Sequence, residues 1–433
     1  MIGRGKAGAF STILILIIAA ATLLPAGADD EEVSVNWLVE GNPGFFFDIA
    51  FSTCENGPHI YVAGFDSSTE SGVLQMRVEK RLKSDGSLVK NWTYMPSEYG
   101  GLLYGCTISN NRLYAVGASY SVNYSSWVIL VLDSDLNLLS CINLTEIPGA
   151  AISAFSDQEF LYVAGISATG LSEKVYVRKI RLSDLSLVKE YSSNLSAVNY
   201  AYDVALNPVS NQLWVVGNVN SEKWRVEVLD KDLNLVKELE SDIGSSATSI
   251  GFDDEGYSYI VGDGGILKLS RDAGEVKRHV QPVLFSKTLW LNNRLYVAGG
   301  ESVGDYVRQV LYVFDRELNL LNRTVISTSM DADALFLMGK MASDGENIYV
   351  AGLAYLGYYD YEWVVYSIKV SSYKAPWYVE HWYLTLALVA VLLAVSALLL
   401  LLMRRRRRLR QAPREEPSTE TGEQQAEGMR PVG

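Results

Sequence analysis

The chain has 433 residues, a formal net charge of −13, 48% hydrophobic residues, three cysteines and three histidines. So few cysteines exclude a disulfide-built scaffold, and the acidic excess opposes binding to nucleic-acid phosphates. The length exceeds a usual single core, which leaves several domains or one domain built by repetition.

The N-terminus carries Arg4 and Lys6, runs apolar over residues 10–24 and ends in small residues at 25–28, ahead of the acidic run 29–32. That order predicts a secretory signal peptide over 1–28. From there an aromatic residue, two apolar residues and a glycine recur at 61–64, 114–117, 162–165, 214–217, 259–262, 296–299 and 349–352. The glycines lie 53, 48, 52, 45, 37 and 53 residues apart, a period suited to four-strand propeller blades. The second repeat spells the unit out: strands at 104–109, 112–117, 127–132 and 137–144, with turns at Asn110-Asn111 and 133–135.

Fourth strands are expected to begin near Leu88, Leu138, Leu187, Leu235, Glu275 and Leu320, but the last repeat ends at 363–370 without one. Residues 33–40 are expected to supply it, because an N-terminal strand added to the last blade removes an exposed edge. The predicted fold is therefore all-β, a seven-bladed β-propeller ectodomain over 29–370 with its N-terminal strand closing the last blade. A juxtamembrane linker at 371–382 leads to 383–403, which holds no charged residue and is long enough for one transmembrane helix. Trp377, Tyr378, Trp382 and Tyr383 crowd the outer end of this segment and Arg404 to Arg408 follow its inner end, which orients the ectodomain outside and the basic, then polar, disordered tail 404–433 in the cytoplasm.

Binding in propellers concentrates on the face where second-to-third-strand loops and blade junctions emerge. Tyr99, Tyr120, Tyr124, Tyr306, Tyr355, Tyr358, Tyr359 and Tyr361 fall in those segments and are the candidate ligand-binding residues. Asn91, Asn123, Asn143, Asn194 and Asn322 stand in Asn-x-Ser/Thr sequons, candidate glycosylation sites behind a signal peptide. Cys54 and Cys106 occupy nearly corresponding positions in adjacent repeats and are the one pair a disulfide admits; buried free thiols are the expected state. No HExxH, GxSxG, CxxC pair or phosphate loop occurs, so no catalytic residue, metal or cofactor is assigned. The paired acids in turns such as 230–232 supply too few oxygens for calcium. The acids at 253–255 fit turn chemistry, and Asp331 and Asp333 on the loop face are the remaining carboxylates for an enzymatic alternative.

Residues 253–256 leading to 259–262, and 343–345 leading to 349–352, resemble the Asp-x-x-Gly-Asn-Ile-Tyr-Val-x-Gly unit of prokaryotic cell-surface β-propeller repeat proteins. Residues 83–88 resemble the third-to-fourth-strand turn of such repeats, whereas Asn110-Asn111 and Asn292-Asn293 depart from the family's Asp-Gly. The likeness spans 33–370 and, together with the anchor and sequons, looks like archaeal cell-envelope proteins. It implies a propeller and carries no catalytic residues. The expected function is a recognition, adhesion or envelope-assembly module binding a surface protein or glycan, with the membrane as its other partner. An extracytoplasmic hydrolase or lyase acting on polysaccharide and a purely structural envelope protein are the alternatives.

Overall fold

Each recurring phrase lies in a strand whose residues are buried on both sides, so these strands read as apolar runs and not as alternating patterns. The computed structural model describes residues 33–41, 47–68, 72–169, 172–194, 199–303, 306–326, 333–335, 339–357 and 360–370, with part of 393–403. The described strands form an all-β, propeller-like fold. Ile49–Asn56, His59–Asp66, Gln75–Leu82 and Leu88–Tyr94 make one antiparallel meander. Asn199–Leu206, Leu213–Val219, Lys223–Leu229 and Leu235–Ser241 make another.

Between these, the sequence expects a break after residue 144. Instead Leu138–Ser156 is one strand that ends one meander and begins the next, giving a seven-stranded sheet. The chain turns the corner at Gly149, with φ +128°, where a Cβ would lie 2.0 Å from the Ile166 carbonyl oxygen. Glu275–Leu291 fuses two later meanders in the same way.

The phrase glycine has a recurrent steric reason. A Cβ on Gly64, Gly117, Gly165, Gly217 or Gly262 would approach a carbonyl oxygen in the preceding strand, or for Gly262 that of Ser246 just before it, to between 1.7 and 2.1 Å. At the same level the preceding strand carries a bulge that skips Phe51, Tyr104, Ile152, Tyr202 or Thr248.

Packing runs from meander to meander. Tyr61, Ala63 and Val78 meet Leu103, Ala115 and Val128; Tyr114, Val116 and Ile129 meet Ala154, Leu161 and Val163. The chain of contacts returns to its start, since Ala50, Ile60 and Val62 pack on Tyr349, Ala351, Trp363 and Val365. The N-terminal strand is Ser34–Gly41, against the expected 33–40. It pairs antiparallel with Asp360–Lys369, from Ser34 opposite Lys369 to Gly41 opposite Trp363. Two indoles bind the seam: Trp37 Nε1 donates to the Lys83 carbonyl at 2.9 Å and Trp363 Nε1 to the Phe65 carbonyl at 3.0 Å.

The expected signal at 1–28, the linker 371–382 and the tail 404–433 lie outside the described residues. The chain divides into two units, 1–372 and 373–433. Of the second, residues 393, 395–397 and 399–403 are described and helical; among the described residues no helix is long and apolar enough to cross a membrane.

Candidate functional site

The hairpin Asn347–Gly357 and Asp360–Lys369 sets Tyr355 directly opposite Tyr361. Cross-strand neighbours share a face, so their rings meet with centroids 5.0 Å apart. Phe47 extends the pile, stacked on Tyr361 at 5.2 Å and 20°, and stays 39% exposed. The result is a partly solvated ribbon of aromatic rings. Tyr358 and Tyr359, between these strands, lie outside the described residues.

Tyr99 and Tyr124 are exposed, and Tyr306 opens a strand opposite Val303. Tyr120 departs from the expectation of a solvent-facing loop residue. It is the last residue of Arg112–Tyr120 and packs with Phe51, Phe65, Leu102 and Tyr104. Burial raises its hydroxyl pKa, while a hydrogen bond to Tyr104 opposes that shift. Strand alternation explains the change: position 120 falls on the face that covers the neighbouring meander.

Of the sequon asparagines, Asn91, Asn123, Asn143 and Asn194 are exposed and Asn322 is half-buried. Asn91, Asn143 and Asn322 sit on fourth strands of their meanders, the outer edge where a bulky group blocks strand addition.

The carboxylates singled out as possible ligands are occupied locally. Asp133 Oδ1 accepts the amides of Asp135 and Asn137 at 2.9 and 2.8 Å, and Asp230 and Asp315 repeat the arrangement. In the acid cluster Asp253 caps its own turn, and Arg316 bridges Asp254 and Glu255. Asp333 lies in a short strand opposite Tyr355, and Asp331 is outside the described residues.

A second cluster, which sequence reasoning missed, fills the axis. Ser52, Gly105, Ser153, Asp203, Ser249 and Lys287 each pair with the third residue of their own recurring phrase, so the first strands bring them to one level. Asp203 accepts from Ser153 Oγ at 2.7 Å and Ser249 Oγ at 3.1 Å, the residues on either side of it in that order. Lys287 is 0% exposed and reaches across to the Phe51 carbonyl. Lys340 reaches the Val204 carbonyl at 2.7 Å and lies 3.7 Å from Asp203.

Burial drives the Lys287 amine down to about 7, against the opposing charges of Cys106 and Asp203, and lowers Lys340 in the same sense. A cavity of about 170 Å³ adjoins them, lined by Asp203, Ser249, Phe252, Trp290, Lys340 and Met341. The legible signal was positional. Small residues prevail at this place in the early repeats and lysine appears in a later one.

The architecture has counterparts among solved structures. The Pan2 WD40 domain of Neurospora crassa is 10% identical and aligns over 78% of this chain and 96% of its own, with a TM-score of 0.52. BamB from Moraxella catarrhalis, 10% identical, aligns over 78% and 100% with a TM-score of 0.45. The periplasmic gluconolactonase PpgL of Pseudomonas aeruginosa, 15% identical, aligns over 68% and 91% with a TM-score of 0.48. At these identities the likeness extends to the fold alone, and the first alignment supports a propeller-like architecture. No family model matches the chain, and no curated protein sequence does.

Proposed function

We propose that the chain is a membrane-anchored, extracytoplasmic β-propeller of seven blades whose loop face recognises a protein or glycan of the cell envelope. One observation carries the recognition role: the Phe47, Tyr361 and Tyr355 pile, where three large rings gather and Phe47 stays exposed. Clustered aromatic rings, two of them with polar tips, suit sugar faces and protein surfaces alike, and they lose little side-chain entropy on binding. The blade count rests on the seven recurring phrases and on the return of packing from the last meander to the first. Export and anchoring rest on the leader, the uncharged segment 383–403 and the arginines after it.

The test is binding of the full chain in detergent to an array of defined envelope glycans and purified surface proteins, with Tyr355→Ala/Tyr361→Ala alongside. Saturable capture that drops at least tenfold in the double variant is the expected result. Equal capture by both proteins, with both folded, would remove this face from the binding site.

A further inference from the structure

Two of the three cysteines point at each other. Cys54 lies on Ile49–Asn56 and Cys106 on Gly101–Ser109, the first strands of neighbouring meanders, and their Sγ atoms are 2.7 Å apart in the core. A covalent S–S bond, near 2.05 Å, requires only a small further approach of the two sulfurs. Cys141 makes the contrast: it is exposed on an outer strand, hydrogen-bonded to the Tyr94 hydroxyl. The reduced pair leaves one thiol donating to the other, and burial followed by the Cys106 contact raises the Cys54 thiol well above its usual range.

We propose that Cys54 and Cys106 are a site of disulfide formation that ties the inner strands of two adjacent meanders across 52 residues of chain. The Cys106 thiolate attacks one sulfur of a disulfide oxidant, and that oxidant's other sulfur leaves as a thiolate. Cys54, on losing its proton, then attacks the mixed disulfide and displaces the second half of the oxidant. The protein gives up two protons and two electrons, and the oxidant becomes two thiols. Because both sulfurs are buried, the bond closes while the chain folds and resists reductant afterwards.

The test uses the full chain in detergent, reduced in denaturant and returned to native buffer with glutathione disulfide, then denatured, alkylated and weighed intact. The expected product takes one alkyl label, at Cys141, and yields on digestion a peptide pair joining Cys54 to Cys106. A parallel sample treated with reductant in denaturant takes a label on each cysteine. Full labelling of the refolded, oxidant-treated chain, or a bond that includes Cys141, overturns the proposal. The Cys141→Ser variant guards against exchange during handling: it must close the same bond and take no label. The outcome is independent of whether the loop face binds a ligand.

Discussion

Replacing Lys287 by methionine is expected to stabilise the ring at neutral pH and to flatten its pH dependence. The lysine is fully buried, its amine meets the Phe51 carbonyl, and burial lowers its pKa from 10.5 to about 7. At 1.36 kcal/mol per pH unit, that drop corresponds to roughly 5 kcal/mol for holding the charged form inside. Relaxation reduces the measurable part, and the Phe51 carbonyl left without its donor costs about 1–3 kcal/mol, so the expected net gain near pH 6 is on the order of 1–2 kcal/mol. The sign follows from proton counts. Between about 7 and 10.5 the unfolded chain keeps the proton that the folded chain has released, so wild-type stability climbs with pH through that window. In Lys287→Met this contribution is absent, and the variant's advantage fades as pH rises. Urea unfolding followed by tryptophan fluorescence, from about pH 6 to about pH 9 at fixed salt, measures both curves. Parallel curves, or a variant less stable than wild type near pH 6 by more than about 2 kcal/mol, would refute the account of Lys287 as a costly buried cation.

Two further outcomes follow from the same geometry. Gly217→Ala puts a Cβ 1.7 Å from the Tyr200 carbonyl oxygen and should cost about 3 kcal/mol, whereas Gly41→Ala, with nothing within 4 Å, should stay within about 0.5 kcal/mol by urea titration. Removing residues 34–41 strips the strand paired with Asp360–Lys369, so the melting temperature should fall and size-exclusion chromatography should show self-association through the bared edge. An unchanged, monomeric profile would mean that this strand does not hold the seam.

Much of the fold was written locally. The recurring phrase marked the buried strands because an aromatic, two apolar residues and a glycine meet requirements fixed within one hairpin: filling the space between sheets and admitting the preceding strand's carbonyl. The closing strand was legible too, from a last repeat lacking a fourth strand and an unassigned strand at the other end of the sequence. What the sequence left open depends on which distant residues the ring brings together. Tyr120 turned inward because a neighbouring meander offers Phe51 and Phe65 to cover it, and the expected break after residue 144 vanished because Gly149 lets one strand serve two meanders. Lys287 meets a carbonyl 236 residues away, and Cys54 meets a thiol 52 residues away. Hydrophobic period and turn chemistry act over a few residues, so the sequence alone determined the strands and their order. The buried charge at the axis arises only when the sheets curl until the last packs on the first, and the tertiary structure alone decided it, together with the contact between the two thiols and the meeting of Phe47 with Tyr361.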